Sequence, residues 1–122
     1  MTDPRHDLGI RGESAVGAWL RQAGWQVLER RWRSPFGELD LVCLDPDATL
    51  VGVEVKLRST SRAGSGAESV DRRRLARLRR ALGSYAATTN LRSAAVRLDL
   101  VTLEPTADGR WRAVRTPAID LW

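Results

Sequence analysis

The stretch GELDLVCLDPDATLVGVEVKLR, residues 37–58, contains two apolar runs on either side of a short polar segment. The second run, 50–58, alternates almost perfectly at a period of two, as a strand with one buried face does. The first run, 38–44, is similar in length, and the residues DPDAT between the runs, 45–49, are typical of a turn. The stretch therefore predicts a β-hairpin.

The hairpin determines which residues oppose one another. With 45–49 as its loop, Leu44 opposes Leu50, and antiparallel pairing sets the remaining register. The pairs on one face are all apolar: Cys43 with Val51, Leu41 with Val53, and Leu39 with Val55. The pairs on the other face are Val42 with Gly52, Asp40 with Glu54, and Glu38 with Lys56. Because opposed like charges are destabilising, we expect a cation to offset the repulsion between Asp40 and Glu54.

These opposed carboxylates predict a metal site. Asp40 and Glu54 offer the oxygen ligands that Mg²⁺ (or Mn²⁺) prefers, and the carbonyl of Val55 is a further candidate ligand. Such an ion polarises a phosphoryl oxygen and activates a bound water, while Lys56 would orient that water or stabilise the developing charge. The pattern suits metal-assisted phosphodiester cleavage. The alternative is a pair of surface carboxylates in salt bridges with Lys56 and Arg58.

Lys56 is also notable for its residue type. It is the only lysine among 20 Lys and Arg residues in the chain. A guanidinium is wide and planar whereas an ammonium is compact, so the two are interchangeable on a solvated surface but not in a tight site. That Lys56 is the lone lysine therefore favours a catalytic role for it. The alternative is that this position has a lysine instead of an arginine by chance.

Helical and strand patterns alternate along the rest of the chain. An apolar spacing of three and four over 7–23 predicts a helix that Gly24 ends, with Glu13 away from the centre of its apolar stripe. A second helix is expected to start near Glu68 or Ser69. Strands are predicted over 25–32, 38–44, 50–58 and 94–104, and a turn suggested at Asp108 and Gly109 leads into 111–116, so that one or two strands follow the second helix. This order predicts an α/β fold with a mixed sheet.

The second helix carries arginines at the positions outside its apolar face. The net charge of +5 favours an anionic partner. The residues predicted to contact a nucleic-acid backbone, above all that of DNA, are Arg72, Arg73, Arg77, Arg80 and Arg58. The alternative for this helix is an ordinary solvated face.

The size and composition of the chain limit its class. Its 122 residues fit a single domain, 1–122, with flexible ends expected. The single cysteine, Cys43, excludes an intrachain disulfide. The opening residues lack the apolar region of a secretory signal, and no apolar run approaches the roughly 20 residues that span a bilayer. We therefore expect a cytoplasmic protein without membrane contact.

Several ordered motifs resemble a known family. GELDLV, 37–42, followed by VGVEVKLRS, 51–59, resembles the core of the PD-(D/E)xK nucleases. Together with LGIRGESAVGAWLRQAGWQVLERRWR, 8–33, it resembles the YraN family of small bacterial proteins, relatives of archaeal Holliday junction resolvases. The resemblance runs from about Leu8 to Glu104.

The resemblance implies a fold, a site and an activity. The fold is restriction-endonuclease-like, a central mixed β-sheet flanked by helices. The implied catalytic core is Asp40, Glu54 and Lys56, with Glu13 as a further carboxylate and metal ligand that reaches the site from the first helix. The implied activity is metal-dependent endonucleolytic cleavage of DNA, on branched or damaged structures as in the resolvases.

Two other functions remain compatible with the sequence. A non-catalytic nucleic-acid-binding module would keep the fold and the basic surface, although binding alone needs no carboxylates facing phosphate. A protein-interaction subunit would dock its basic helix on an acidic partner. The sequence leaves open which DNA or RNA structure is bound, and whether the chain is a monomer or a homodimer.

Overall fold

The computed structural model describes residues 4–58, 71–91 and 95–119. This part of the chain contains helices α1 (Pro4–Gln22) and α2 (Arg72–Thr88) and strands β1 (Gln26–Ser34), β2 (Gly37–Leu44), β3 (Leu50–Leu57), β4 (Val96–Pro105) and β5 (Trp111–Thr116). The predicted strands are present, and of the two alternatives after the second helix, two strands is the correct one. Neither described helix is long and apolar enough to cross a membrane.

The strands form one sheet in the order β1-β2-β3-β4-β5. Neighbouring strands are antiparallel except β3 and β4, which are parallel. A parallel pair needs a crossover connection, and α2 lies in the connection between these two strands. The predicted α/β fold with a central mixed sheet and flanking helices is confirmed. Its arrangement is consistent with the restriction-endonuclease-like fold that the resemblance implied.

Each helix buries its apolar face on one side of the sheet. Val16 and Leu20 of α1 belong to one core cluster, and Leu82 of α2 belongs to the other. Gly52 of β3 lies under α2, where a Cβ would come within 2.9 Å of a methyl group of Leu98. Only glycine therefore lets the core close over this position without a shift.

The second helix starts later than predicted. The carboxylate of Asp71 accepts a hydrogen bond of 2.8 Å from the backbone N–H of Arg74, so Asp71 is the N-cap and α2 begins at Arg72. The expected start near Glu68 or Ser69 is therefore wrong, and those two residues lie outside the described part of the chain.

The register of the β2–β3 hairpin is confirmed near its loop. The observed pairs are Leu44 with Leu50, Cys43 with Val51, Val42 with Gly52, and Leu41 with Val53. In the loop, the carboxylate of Asp45 accepts hydrogen bonds of 2.9 Å from the N–H groups of Asp47 and Thr49. A five-residue loop of this kind sets the register as the sequence predicted.

Beyond those pairs the predicted register is wrong. The ladder ends at Leu41 and Val53 because the carboxylate of Asp40 takes the backbone N–H of Val55 at 2.9 Å. Leu39 then packs in the α2 cluster while Val55 packs against the α1 cluster, so these two do not share a face. The predicted pairs Asp40 with Glu54 and Glu38 with Lys56 are likewise absent from the ladder. The strands part at Asp40, and their separation opens a cleft.

Candidate active site

The cleft between the parting strands contains the predicted site residues. It is a cavity of about 360 Å³. Its lining residues, from α1, β2, β3, α2 and β4, are Glu13, Asp40, Glu54, Val55, Lys56, Arg74 and Leu100. We call this cavity the acidic cleft. It brings together every residue that the sequence proposed for catalysis or metal binding.

Asp40 lies where β2 separates from β3. Its Oδ2 accepts the hydrogen bond from the backbone N–H of Val55, which fixes the carboxylate between the two strands. Burial, and after it the nearby carboxylate of Glu54, raise the pKa of Asp40 to about 7. Both causes would be relieved by a bound cation, because the positive charge stabilises the ionised form.

Glu54 is buried, with 5% of its surface exposed. Its Oε2 lies 2.6 Å from Nη2 of Arg74, whereas its Oε1 has no hydrogen-bond partner among the described residues. Burial raises the pKa of this carboxyl, and Arg74 opposes that rise. A buried oxygen without a partner is costly, so Glu54 has an unused capacity to bind a cation.

Glu13 reaches the cleft because α1 packs closely on the sheet. A Cβ at Gly12 would lie 3.0 Å from a methyl group of Leu57, so the glycine permits this approach. Glu13 is 8% exposed, and its Oε2 accepts a hydrogen bond of 2.8 Å from Nε of Arg31. Glu13 thus lies on the buried side of α1, whereas Ala15, two residues further along the helix, is exposed.

Lys56 lies at the rim of the acidic cleft. It follows Glu54 by two residues on β3, and its side chain is exposed. A lysine and an arginine at this position would therefore differ in the size and shape of the cationic group and not in the effect of burial.

Arg74 is a site residue that sequence reasoning missed. The sequence predicts a solvated or DNA-facing surface for the arginines of the second helix, with phosphate contacts for Arg72, Arg73, Arg77 and Arg80. Arg74, however, lies four residues before Leu78, on the same side of α2 as the buried residues of that helix. That spacing is only a partial signal, because Arg77 likewise lies four residues before the buried Ala81. The ion pair with Glu54 is what identifies Arg74, and the structure was needed to see it.

The predicted nucleic-acid contacts are only partly brought together. Arg73, Arg77 and Arg80 line one shallow groove along α2, which we call the arginine groove. Arg72 is exposed but does not line that groove. Arg58 is half-buried at the end of β3, where its N–H donates to the carbonyl of Leu103 at 2.8 Å.

The donor atoms of the cleft fit a hard divalent cation. No three Asp, Glu, His or Cys side chains among the described residues form a ready-made metal cluster. Mg²⁺ needs only one or two carboxylates because it keeps several waters. Asp40 and Glu54 supply two, one of them with an oxygen that has no partner. The fully buried Asp99 offers a contrast, since Arg97 and Arg115 neutralise both of its oxygens.

Comparison with known proteins gives a family. The model of uncharacterised protein family UPF0102 matches residues 12–103. The UPF0102 protein of Beutenbergia cavernae is 45% identical over 105 residues, covering 86% of this chain and 88% of that protein. The UPF0102 protein of Corynebacterium efficiens is 40% identical over 111 residues, 89% and 88% of the two chains. That of Moorella thermoacetica is 38% identical over 103 residues, 84% and 85%.

Proposed function

The chain belongs to the uncharacterised protein family UPF0102, the YraN family of the sequence resemblance, and we propose that it is a metal-dependent endonuclease that hydrolyses DNA phosphodiester bonds. The observation that carries the proposal is the acidic cleft, which is lined by Glu54, whose buried Oε1 has no described partner, and by the half-buried carboxylate of Asp40. Two neighbouring carboxylates without a full set of counter-ions destabilise the folded domain, so their presence favours a functional role.

Each residue of the acidic cleft would have a separate role in metal binding or in hydrolysis. Asp40, Glu54 and the carbonyl of Val55 would hold Mg²⁺ or Mn²⁺, with Glu13 as a further ligand. When bound, the ion supplies Lewis-acid activation of the phosphoryl group and of a water. Lys56 at the rim would hold that water or a phosphate oxygen by a hydrogen bond. Hydrolysis then forms a bond from the water oxygen to phosphorus and breaks the bond to the leaving oxygen.

The arginine groove would bind the DNA backbone beside the cleft. Its three guanidinium groups are exposed and need only a run of phosphates for partners. This groove also supports the second candidate function, a non-catalytic nucleic-acid-binding module. The two candidates share their affinity for DNA and differ in cleavage.

The direct test is an assay of cleavage. Labelled linear, flapped and four-way DNA would be incubated with Mg²⁺, with Mn²⁺ or with EDTA. The proposal expects cleavage of at least one of these substrates in either metal and none in EDTA. Binding of DNA without cleavage of any of them would favour the non-catalytic module.

The arginine groove makes a quantitative prediction about salt. Each phosphate contact contributes a slope of about −0.9 to log K against log[salt] on duplex DNA. Replacing Arg73 and Arg80 by Gln should therefore flatten the slope by about two contacts, without a change in sequence preference. Fluorescence anisotropy at several salt concentrations measures it.

The matched control replaces Arg110 and Arg112, which are exposed on the far edge of the sheet, and removes the same charge. If both double variants change the slope equally, the effect is one of net charge and the groove has no specific contact with DNA.

The ion pair between Arg74 and Glu54 leads us to expect an effect of Arg74 on the affinity for metal. Because it occupies Oε2 of Glu54, it competes with a cation for that oxygen. Arg74→Gln should therefore bind Mn²⁺ more tightly in calorimetric titration. In EDTA the same variant should lose about 1–2 kcal/mol of stability, since Glu54 keeps its buried charge without a counter-ion and the pair is only partly exposed.

Arg77→Gln serves as the control, being one turn further along α2 with no ion pair to Glu54. Weaker Mn²⁺ binding by Arg74→Gln than by wild type would show that Arg74 supports the metal site instead of competing with it.

A further inference from the structure

An aromatic side chain is exposed beside the acidic cleft. Phe36 lies in the turn between β1 and β2 and is 42% exposed. The turn is held by Ser34, whose Oγ accepts a hydrogen bond of 3.1 Å from the N–H of Phe36 and donates one of 3.0 Å to the carbonyl of Gly37. A single exposed phenylalanine is ordinary, so exposure alone carries no inference. The surroundings of Phe36 carry it.

Phe36 forms one wall of a second, smaller cleft. The lining residues are Phe36, Gly37, Glu38, Arg74, Arg77 and Leu78. Arg74 lines this side cleft and the acidic cleft alike, so the two adjoin across its side chain. Arg77 likewise lines both the side cleft and the arginine groove. The side cleft is therefore continuous with the surfaces that we assign to the scissile phosphate and to the DNA backbone.

The chemistry of the side cleft matches a nucleobase. The ring of Phe36 offers a face for stacking, and the guanidinium groups of Arg74 and Arg77 offer hydrogen-bond donors and planar cations. Glu38 offers a carboxylate that accepts from the exocyclic amine of a base, and Arg33 holds it at 3.0 Å. An aromatic face with donors and an acceptor on its rim is what a planar heterocycle with both kinds of polar edge requires.

We propose that the side cleft binds an unpaired nucleobase adjacent to the phosphate in the acidic cleft. In a continuous duplex each base is covered on both faces by its neighbours, so a base reaches Phe36 only after leaving the stack. Resting on the proposed function, this assigns the substrate class: DNA with at least one unpaired or extruded nucleotide beside the scissile bond. Fully paired DNA would bind through the arginine groove alone.

The test measures binding in EDTA, so that it does not depend on cleavage. The probes are a duplex that carries one unpaired adenine and the same duplex fully paired. Stacking of a base on an aromatic ring contributes enough that Phe36→Ala should weaken binding of the first probe by about 5- to 150-fold. The affinity for the paired duplex should stay unchanged, and Phe36→Trp should restore the affinity for the unpaired probe.

Trp111→Ala is the matched control, because Trp111 is also 42% exposed but lies on β5 at the opposite edge of the sheet. A second readout places 2-aminopurine at the unpaired position. Its fluorescence should be quenched by wild type and not by Phe36→Ala. Equal effects of Phe36→Ala on both probes, or none on either, would overturn the base-binding proposal. If the wild type cleaves DNA but does not prefer the unpaired probe over the paired duplex, the base site is wrong and the nuclease proposal stands. If it prefers the unpaired probe but cleaves no DNA, the nuclease proposal is wrong and the base site stands.

Discussion

Asp40→Asn is expected to abolish both metal-dependent cleavage and the rise in thermal stability that Mg²⁺ or Mn²⁺ gives the wild type. The amide oxygen can still accept the hydrogen bond from Val55, so the strands should part as before, but the charge that holds the ion is lost. A ligand at 100 times its Kd stabilises a protein by about 2.7 kcal/mol, or roughly 10 °C for a domain of this size. Thermal unfolding with metal and with EDTA measures the difference.

The same variant has a pH signature. Asp40 has a pKa of about 7 in the folded chain and about 3.9 when unfolded, so the folded state binds the extra proton between these values. Without metal, the stability that this proton contributes is complete below about pH 4 and is lost as the pH rises through 7. Asp40→Asn should not show that loss. The gain in stability from metal should be larger above pH 7, where no proton has to leave.

Asp47→Asn is the control for charge, since Asp47 is exposed in the loop of the same hairpin. It should respond to metal as the wild type does. If Asp40→Asn also keeps the full response, the ion binds elsewhere, and the assignment of the acidic cleft fails.

The β2–β3 hairpin shows how far the sequence could predict the site. Loop length and alternation sufficed for the register from Leu44 to Leu41, because both act locally. They failed at Asp40, where a side chain takes a backbone N–H that a regular ladder would have used. Competition between a side chain and a strand for one hydrogen bond depends on how the strands twist apart. The alternation of residue types along a strand therefore does not show which of the two accepts the hydrogen bond.

The arginine counter-ions of the cleft could not be predicted from the sequence for a related reason. Glu13 is paired with Arg31, 18 residues away, and Glu54 with Arg74, 20 residues away. Arg31 has a positive φ of 50°, a conformation that few non-glycine residues adopt. No pattern in the sequence marks either arginine, among many, as the partner of a buried carboxylate. Asp40 and Glu54 could be identified because charged residues are uncommon within an apolar strand pattern, whereas the role of Glu13 was implied only by the family resemblance.

Lys56→Arg is expected to fold and to bind DNA as the wild type does, yet to lose most of the cleavage rate. A positioned group that holds the attacking water or the phosphate contributes about 10² to 10⁴ in rate, or roughly 3 to 5 kcal/mol. An exposed salt bridge contributes about 0 to 1 kcal/mol, so the two explanations of this residue differ by orders of magnitude in rate. Single-turnover cleavage at saturating metal, with anisotropy for binding, separates rate from affinity.

The structure sharpens the reason for expecting this loss. Lys56 is exposed at the rim of a cleft that already contains the guanidinium of Arg74, so positive charge alone is not what the position lacks. A second planar guanidinium would spread its donors over a wider area and would bind a carboxylate or a phosphate by two bonds, whereas an ammonium directs single bonds from one small centre. Arg80→Lys is the reverse exchange in the arginine groove, where either cation can meet a phosphate, and it should leave the single-turnover cleavage rate nearly unchanged. Wild-type cleavage by Lys56→Arg would mean that the lone lysine survives by chance, and it would leave Asp40 and Glu54 to carry the chemistry without it.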